Sequence, residues 1–97
     1  MKQNLTVQIQ EEARNEILNA YFWYEEKSLG LGKKFITELD EAFKTIVKSP
    51  KGYQKFYRHR QFPLEKFPFI ILFEATPNVL YIDAVFHTSQ DPLKKIR

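Results

Sequence analysis

Phe67-Pro68-Phe69-Ile70-Ile71-Leu72-Phe73, a turn at Thr76-Pro77-Asn78, and then Val79-Leu80-Tyr81-Ile82-Asp83-Ala84-Val85-Phe86-His87 decide how this chain folds. The first run is apolar except at Pro68, which suits a strand covered on both faces. The turn residues favour a tight reversal between the two runs. In the second run, side chains alternate between the two faces of a strand. Leu80, Ile82, Ala84 and Phe86 make one uniformly apolar row, expected to face the core. Tyr81, Asp83, Val85 and His87 make the other, and a phenol, a carboxylate and an imidazole in one row, whose successive positions are about 7 Å apart, mark it as the open face.

Working outward, Gln54–Phe62 mixes aromatic and basic residues without a helical stripe and stops at Pro63, which reads as one outer strand. Before it the period lengthens. Phe35, Leu39, Ala42/Phe43 and Ile46 recur every three to four residues, and Ser49-Pro50 with Gly52 ends that helix. An earlier helix carries Ala13, Ile17, Ala20/Tyr21 and Tyr24 on one face, with Glu11 and Glu12 at its positive end. Leu29-Gly30-Leu31-Gly32 supplies the turn between the two helices. Leu5, Val7 and Ile9 alternate with polar residues and form a first strand. The expected order is β-α-α-β-β-β. This is an α+β fold with a helical hairpin on a mainly antiparallel four-stranded sheet, in one domain spanning residues 1–97.

Composition narrows the chemistry. The chain has no cysteine and only His59 and His87, so disulfides and thiolate metal sites are excluded and zinc is not expected. No secretion signal or membrane span is legible, which points to a cytoplasmic protein that does not enter a membrane. Residues 1–50 carry seven Lys/Arg against eight Asp/Glu, whereas residues 51–97 carry eight against four. Lys51, Lys55, Arg58, Arg60 and Lys66 crowd into this second half, a pattern that attracts polyanions or acidic proteins when it is more than a solvated strand face.

The run Phe67–Phe73 and the segment Ala84-Val85-Phe86-His87-Thr88-Ser89-Gln90-Asp91-Pro92 resemble the corresponding segments of the RelE/ParE toxin superfamily. So do Glu12-Ala13-Arg14-Asn15-Glu16-Ile17 at the start of the first helix, and Leu31-Gly32-Lys33-Lys34-Phe35 with Lys48-Ser49-Pro50 at the borders of the second. The resemblance implies the toxin of a type II toxin–antitoxin (plasmid stabilisation) system, held inactive by a cognate antitoxin. It implies one of two targets: DNA gyrase for ParE-like members, or ribosome-bound mRNA, cut by RelE-like members. RelE-like nucleases resemble one another in an arginine on the strand matching Phe67–Phe73, where this chain has only apolar residues and Pro68. After His87, where many relatives carry arginines, this chain has Thr88, Ser89 and Gln90, with Lys94, Lys95 and Arg97 further on. The ParE-like reading is therefore preferred, with the endoribonuclease or an inactive binding domain as alternatives.

Cutting RNA without a metal requires a group to activate the 2′-hydroxyl, a group to hold the phosphate and a group to protonate the leaving oxygen. The candidates are His87 as acid or base, Asp83, two positions from His87 in that same row, as its orienting carboxylate, and Arg58 or Arg60 as the phosphate clamp. Lys51, Lys55, Arg58, Arg60, Tyr81 and Trp23 are the candidates for contact with target or antitoxin. Tyr21-Phe22-Trp23-Tyr24 spans more than one helical face, so Phe22 or Trp23 is expected to leave the core. Glu25/Glu26 and Glu38/Asp40/Glu41 read as solvated helix surface. No cofactor and no metal are called for.

Overall fold

The computed structural model describes residues 5–95, so residues 1–4 and the tail cation Arg97 lie outside the described residues. Strand β1 (Thr6–Ile9) leads directly into helix α1 (Glu11–Lys27), and helix α2 (Leu31–Lys48) follows. After a 3-10 turn at Pro50–Gly52 come β2 (Lys55–Phe56), β3 (His59–Pro63), β4 (Phe69–Ala75) and β5 (Val79–His87). The sheet order is β1-β5-β4-β3-β2, with β1 parallel to β5 and every other pair antiparallel. The α+β class and the helical hairpin on a mainly antiparallel sheet stand as expected. The strand count is five rather than four, because Gln54–Phe62 is a tight hairpin and not one strand.

That hairpin turns on two residues, Tyr57 and Arg58, between the facing pair Phe56 and His59. Two-residue turns use left-handed backbone to match strand twist and favour Gly or Asn there. Here Tyr57 takes φ 56°, the one positive φ at a non-glycine among the described residues. A side chain in that region costs about 1–2 kcal/mol. No Gly or Asn marks the turn, so the sequence carries no visible reversal signal.

The helices meet closely at their connection. Gly30 sits at φ 90° and closes the turn. A Cβ on Gly32 would stand 2.5 Å from the Tyr21 carbonyl oxygen, so glycine lets the two backbones approach. Gly30 has no side chain to cap α2, and Glu25 of α1 takes over. Its carboxylate accepts hydrogen bonds from the Gly30 N–H at 3.1 Å and the Lys33 N–H at 3.2 Å. Glu38 similarly accepts from the N–H of Glu65 at 2.7 Å and of Lys66 at 3.1 Å, fixing the loop before β4. Glu25 and Glu38 are therefore more than solvated surface.

Between helices and sheet lies the main core. Ala13, Ala20 and Tyr24 of α1 and Phe35, Leu39, Ala42 and Ile46 of α2 are buried, as the helical stripes predict. Tyr24, Phe35, Phe67 and Phe69 pack ring against ring, with Tyr24–Phe67 centroids 4.9 Å apart and Phe35–Phe69 5.1 Å apart. Burying a ring such as Phe35, which is fully enclosed, contributes about 1.5–3 kcal/mol.

The face assignment of β5 changes partway along it. Leu72 pairs with Ala84, but the next residue of β4, Phe73, pairs with Ile82, so Asp83 is an extra residue in a β-bulge. One inserted residue reverses every face beyond it. Leu80 and Ile82 meet the helices as expected, and so does Val85. Ala84 and Phe86 instead join Leu72 in a second buried cluster on the opposite side, flanked by Ile70 and Phe56. The side expected to be open therefore carries a small core of its own.

Candidate functional site

The bulge decides where the candidate residues go. Asp83, 6% exposed, turns to β3 and meets His59, 1% exposed, with Asp83 Oδ2 3.0 Å from His59 Nδ1. Glu74 on β4, between them, brings Oε2 to 3.8 Å from the same nitrogen. Arg58 of the turn sets Nε 4.0 Å from Glu74 Oε1 and keeps its side chain 65% exposed. The result is a buried imidazole–carboxylate pair whose outer edge is covered by an ion pair. Sequence reasoning passed over His59 because it placed that residue on an exposed strand.

His59, Glu74 and Asp83 offer one nitrogen and two carboxylate oxygens, all within 4.8 Å of one another. Those are donor types that a divalent ion accepts. Arg58 already supplies a positive charge beside them.

His87 belongs elsewhere. It follows Val85 onto the helix side, stacks edge-on to Phe69 at 5.3 Å, and lies roughly 13 Å along the strand from Asp83. Its Nδ1 accepts from the Ser89 N–H at 3.1 Å and lies 2.8 Å from Ser89 Oγ. With Nδ1 accepting, the ring proton of the neutral imidazole sits on Nε2. The expected orienting contact from Asp83 to His87 is absent, because the bulge sends the carboxylate to His59. Arg60 is also occupied, since it donates from Nη1 to the Tyr53 carbonyl at 2.9 Å. Arg58 and Arg60 thus do not share one strand face; the first is in the turn and the second holds the segment that leads into β2.

His87 lines a groove of about 610 Å³ between α1 and the end of β5, with Trp23, Asn19, Pro68, Phe69 and Gln90 among its walls. Trp23 is 54% exposed and Phe22 59% exposed, so both aromatics leave the core. Lys27 Nζ sits 4.8 Å over the Trp23 ring. At the floor, Glu16 of α1 accepts a hydrogen bond from the Val85 N–H at 2.9 Å. Among the described residues, β5 has no strand neighbour on its β1 side beyond Ile82, and Glu16 satisfies one of the amides there. This residue also escaped the sequence reading, which named it only within the start of the first helix.

The remaining candidates are dispersed. Lys51 is exposed in the 3-10 turn, Lys55 is exposed on β2, and Tyr81 is half-buried on β5 in register with Glu74 and Gln8. No helix among the described residues is long and apolar enough to cross a membrane.

Comparison with known proteins adds three findings. Residues 7–92 match the sequence family described as the ParE toxin of the type II toxin–antitoxin system, parDE. Among solved structures the chain is similar to one from a chromosomal ParDE toxin–antitoxin system of P. aeruginosa, at a TM-score of 0.76 and 15% identity, covering 89% of this chain and 98% of that one. Among curated protein sequences, none matches.

Proposed function

Because the chain belongs to the ParE toxin family of type II toxin–antitoxin systems, we propose that it arrests growth by binding a macromolecular target, DNA gyrase, rather than by cutting RNA. A cognate antitoxin neutralises it in the cytoplasm, lying in the groove beside Trp23. The single observation supporting binding over cleavage is the separation of the four candidate catalytic residues. His87 stands in the groove, Asp83 holds His59, Arg60 holds the Tyr53 carbonyl and Arg58 stands beside Glu74. Metal-free cleavage needs those groups to converge on one phosphate, and here they point to different neighbours. The exposed Trp23 and Phe22 beside an apolar groove are the kind of anchor that carries binding energy in an interface.

The test pairs two assays on the purified chain: supercoiling by DNA gyrase, and mRNA cleavage on translating ribosomes. Inhibited supercoiling with intact mRNA is expected, and His87→Ala should arrest growth as strongly as the unaltered chain. Ribosome-dependent cuts that disappear in His87→Ala would establish the endoribonuclease instead. Normal growth at confirmed soluble expression would leave an inactive binding domain.

A further inference from the structure

Tyr57 holds a left-handed backbone at φ 56° in a two-residue turn where glycine or asparagine would sit without strain. Its side chain gives nothing back to the core. It is 68% exposed, and its ring contact among the described residues is with neighbouring Phe56, with centroids 5.0 Å apart. A strained residue kept in place without a packing reason points to a role outside the fold. Next to it, Arg58 extends largely into solvent, and Lys55 is exposed on the adjoining strand.

The turn is held from behind. His59, the residue after it, is buried and joined to Asp83 at 3.0 Å, which ties the hairpin to β5 across β4. A pre-set tip loses little freedom when it is bound, so more of its contact energy appears as affinity.

We propose that this hairpin tip, Tyr57 with Arg58, is the surface through which the protein grips its target, and that the partner is a protein surface bearing carboxylates around a shallow apolar notch. The assignment rests on the binding mode proposed above. Tyrosine and arginine are the side chains most enriched at the energetic centres of protein interfaces, along with tryptophan. A nucleic acid is disfavoured by the ground behind the tip. Glu11, Glu12, Glu74 and Asp83 line a hollow at the base of Arg58, where they repel a phosphodiester backbone running on past the tip, whereas a localised carboxylate can meet Arg58 alone. The tip lies on strands remote from the Trp23 groove, so target and antitoxin have separate primary contacts.

The experiment measures affinity for immobilised purified DNA gyrase, with thermal midpoints recorded in parallel. Tyr57→Asn relieves the backbone strain while removing the ring. The expected result is at least a tenfold loss of affinity together with an unchanged or higher midpoint, a combination that a merely structural tyrosine would not give. Arg58→Gln is expected to weaken binding by a similar factor, and Leu29→Ala, at the exposed turn between the helices, to leave it within twofold. Tyr57→Asn binding within twofold of the unaltered chain overturns the proposal. So does tip-dependent binding of a single-stranded oligonucleotide with gyrase binding untouched. Failure of the unaltered chain to bind gyrase overturns the proposed target instead, and growth arrest then reads the tip. Relief of arrest by Tyr57→Asn at equal soluble level supports the tip against another protein, and undiminished arrest overturns it.

Discussion

The imidazole of His59 on β3 reaches past β4 to the carboxylate of Asp83 on β5, closing to 3.0 Å, and both groups are buried. The bulge makes this possible by giving Asp83 a position that regular pairing would assign to its neighbours. Removing one member of a buried polar pair strands the other. Asp83→Ala is therefore expected to lower the unfolding free energy by about 3 kcal/mol, read by urea denaturation. Asp83→Asn keeps an acceptor oxygen and should lose clearly less; an equal loss would show that the negative charge, rather than the hydrogen bond, holds His59.

Glu16 offers a second stability test. Its carboxylate serves the Val85 N–H on the unpaired edge of β5. Glu16→Ala leaves that amide without its carboxylate and is expected to cost about 1–3 kcal/mol. Glu16→Gln retains an acceptor and should recover at least half of the loss. Hydrogen exchange at the Val85 amide provides a local readout, with faster exchange expected in the alanine variant.

At Gly32 two effects compete. Gly32 is in the first turn of α2, where alanine is favoured over glycine by at most the interior value of about 1 kcal/mol, yet its Cβ would meet the Tyr21 carbonyl oxygen at 2.5 Å and Glu25 Cγ at 2.7 Å. Backbone oxygen cannot swing aside as a side-chain end can, and overpacking costs about 1–3 kcal/mol. Gly32→Ala is thus expected to lower the thermal midpoint. A rise would mean that the helices can separate without penalty.

Glu25 gives a dependence on pH. Hydrogen bonding from the Gly30 N–H holds its carboxyl below the ordinary glutamate value against the opposing effect of desolvation, with lesser lowering by the Lys33 and Gly32 N–H groups. A carboxyl depressed in the folded state adds stability above its unfolded value and loses it as pH falls through the folded one. Acidification through that window should loosen the α1–α2 turn, while Glu25→Gln should remove this component of the pH profile. Carboxyl titration by NMR checks the direction; a midpoint at or above the ordinary value would contradict it.

Much of the fold could be read from periodicity. The helix stripes through Ala13, Ala20 and Tyr24 and through Phe35, Leu39, Ala42 and Ile46 are the buried faces, and β5 spans Val79–His87 as its alternation suggests. Two local departures from regular backbone were invisible. Tyr57 occupies a turn position without glycine, so one expected strand is two. Asp83 adds a residue to a strand whose apolar alternation looks unbroken, so Ala84 and Phe86 leave the expected face and His87 arrives on the other. The same bulge is why the site could not be assembled from sequence. Asp83 and His87 share a parity in the chain but not a side of the sheet, and His59 finds its carboxylate through a contact no local pattern encodes.

The parallel pairing of β1 with β5 gives the protein a clock. Thr6 and Val79 are partners, so the first strand emerges long before the one it needs. At ordinary translation rates of about 5–20 residues per second, the interval is roughly 4–15 s. Until then the helical hairpin lacks the strand that Glu16 and the β1 backbone engage, and Asp83 has not reached His59. The hairpin tip is consequently braced only once β5 has been made.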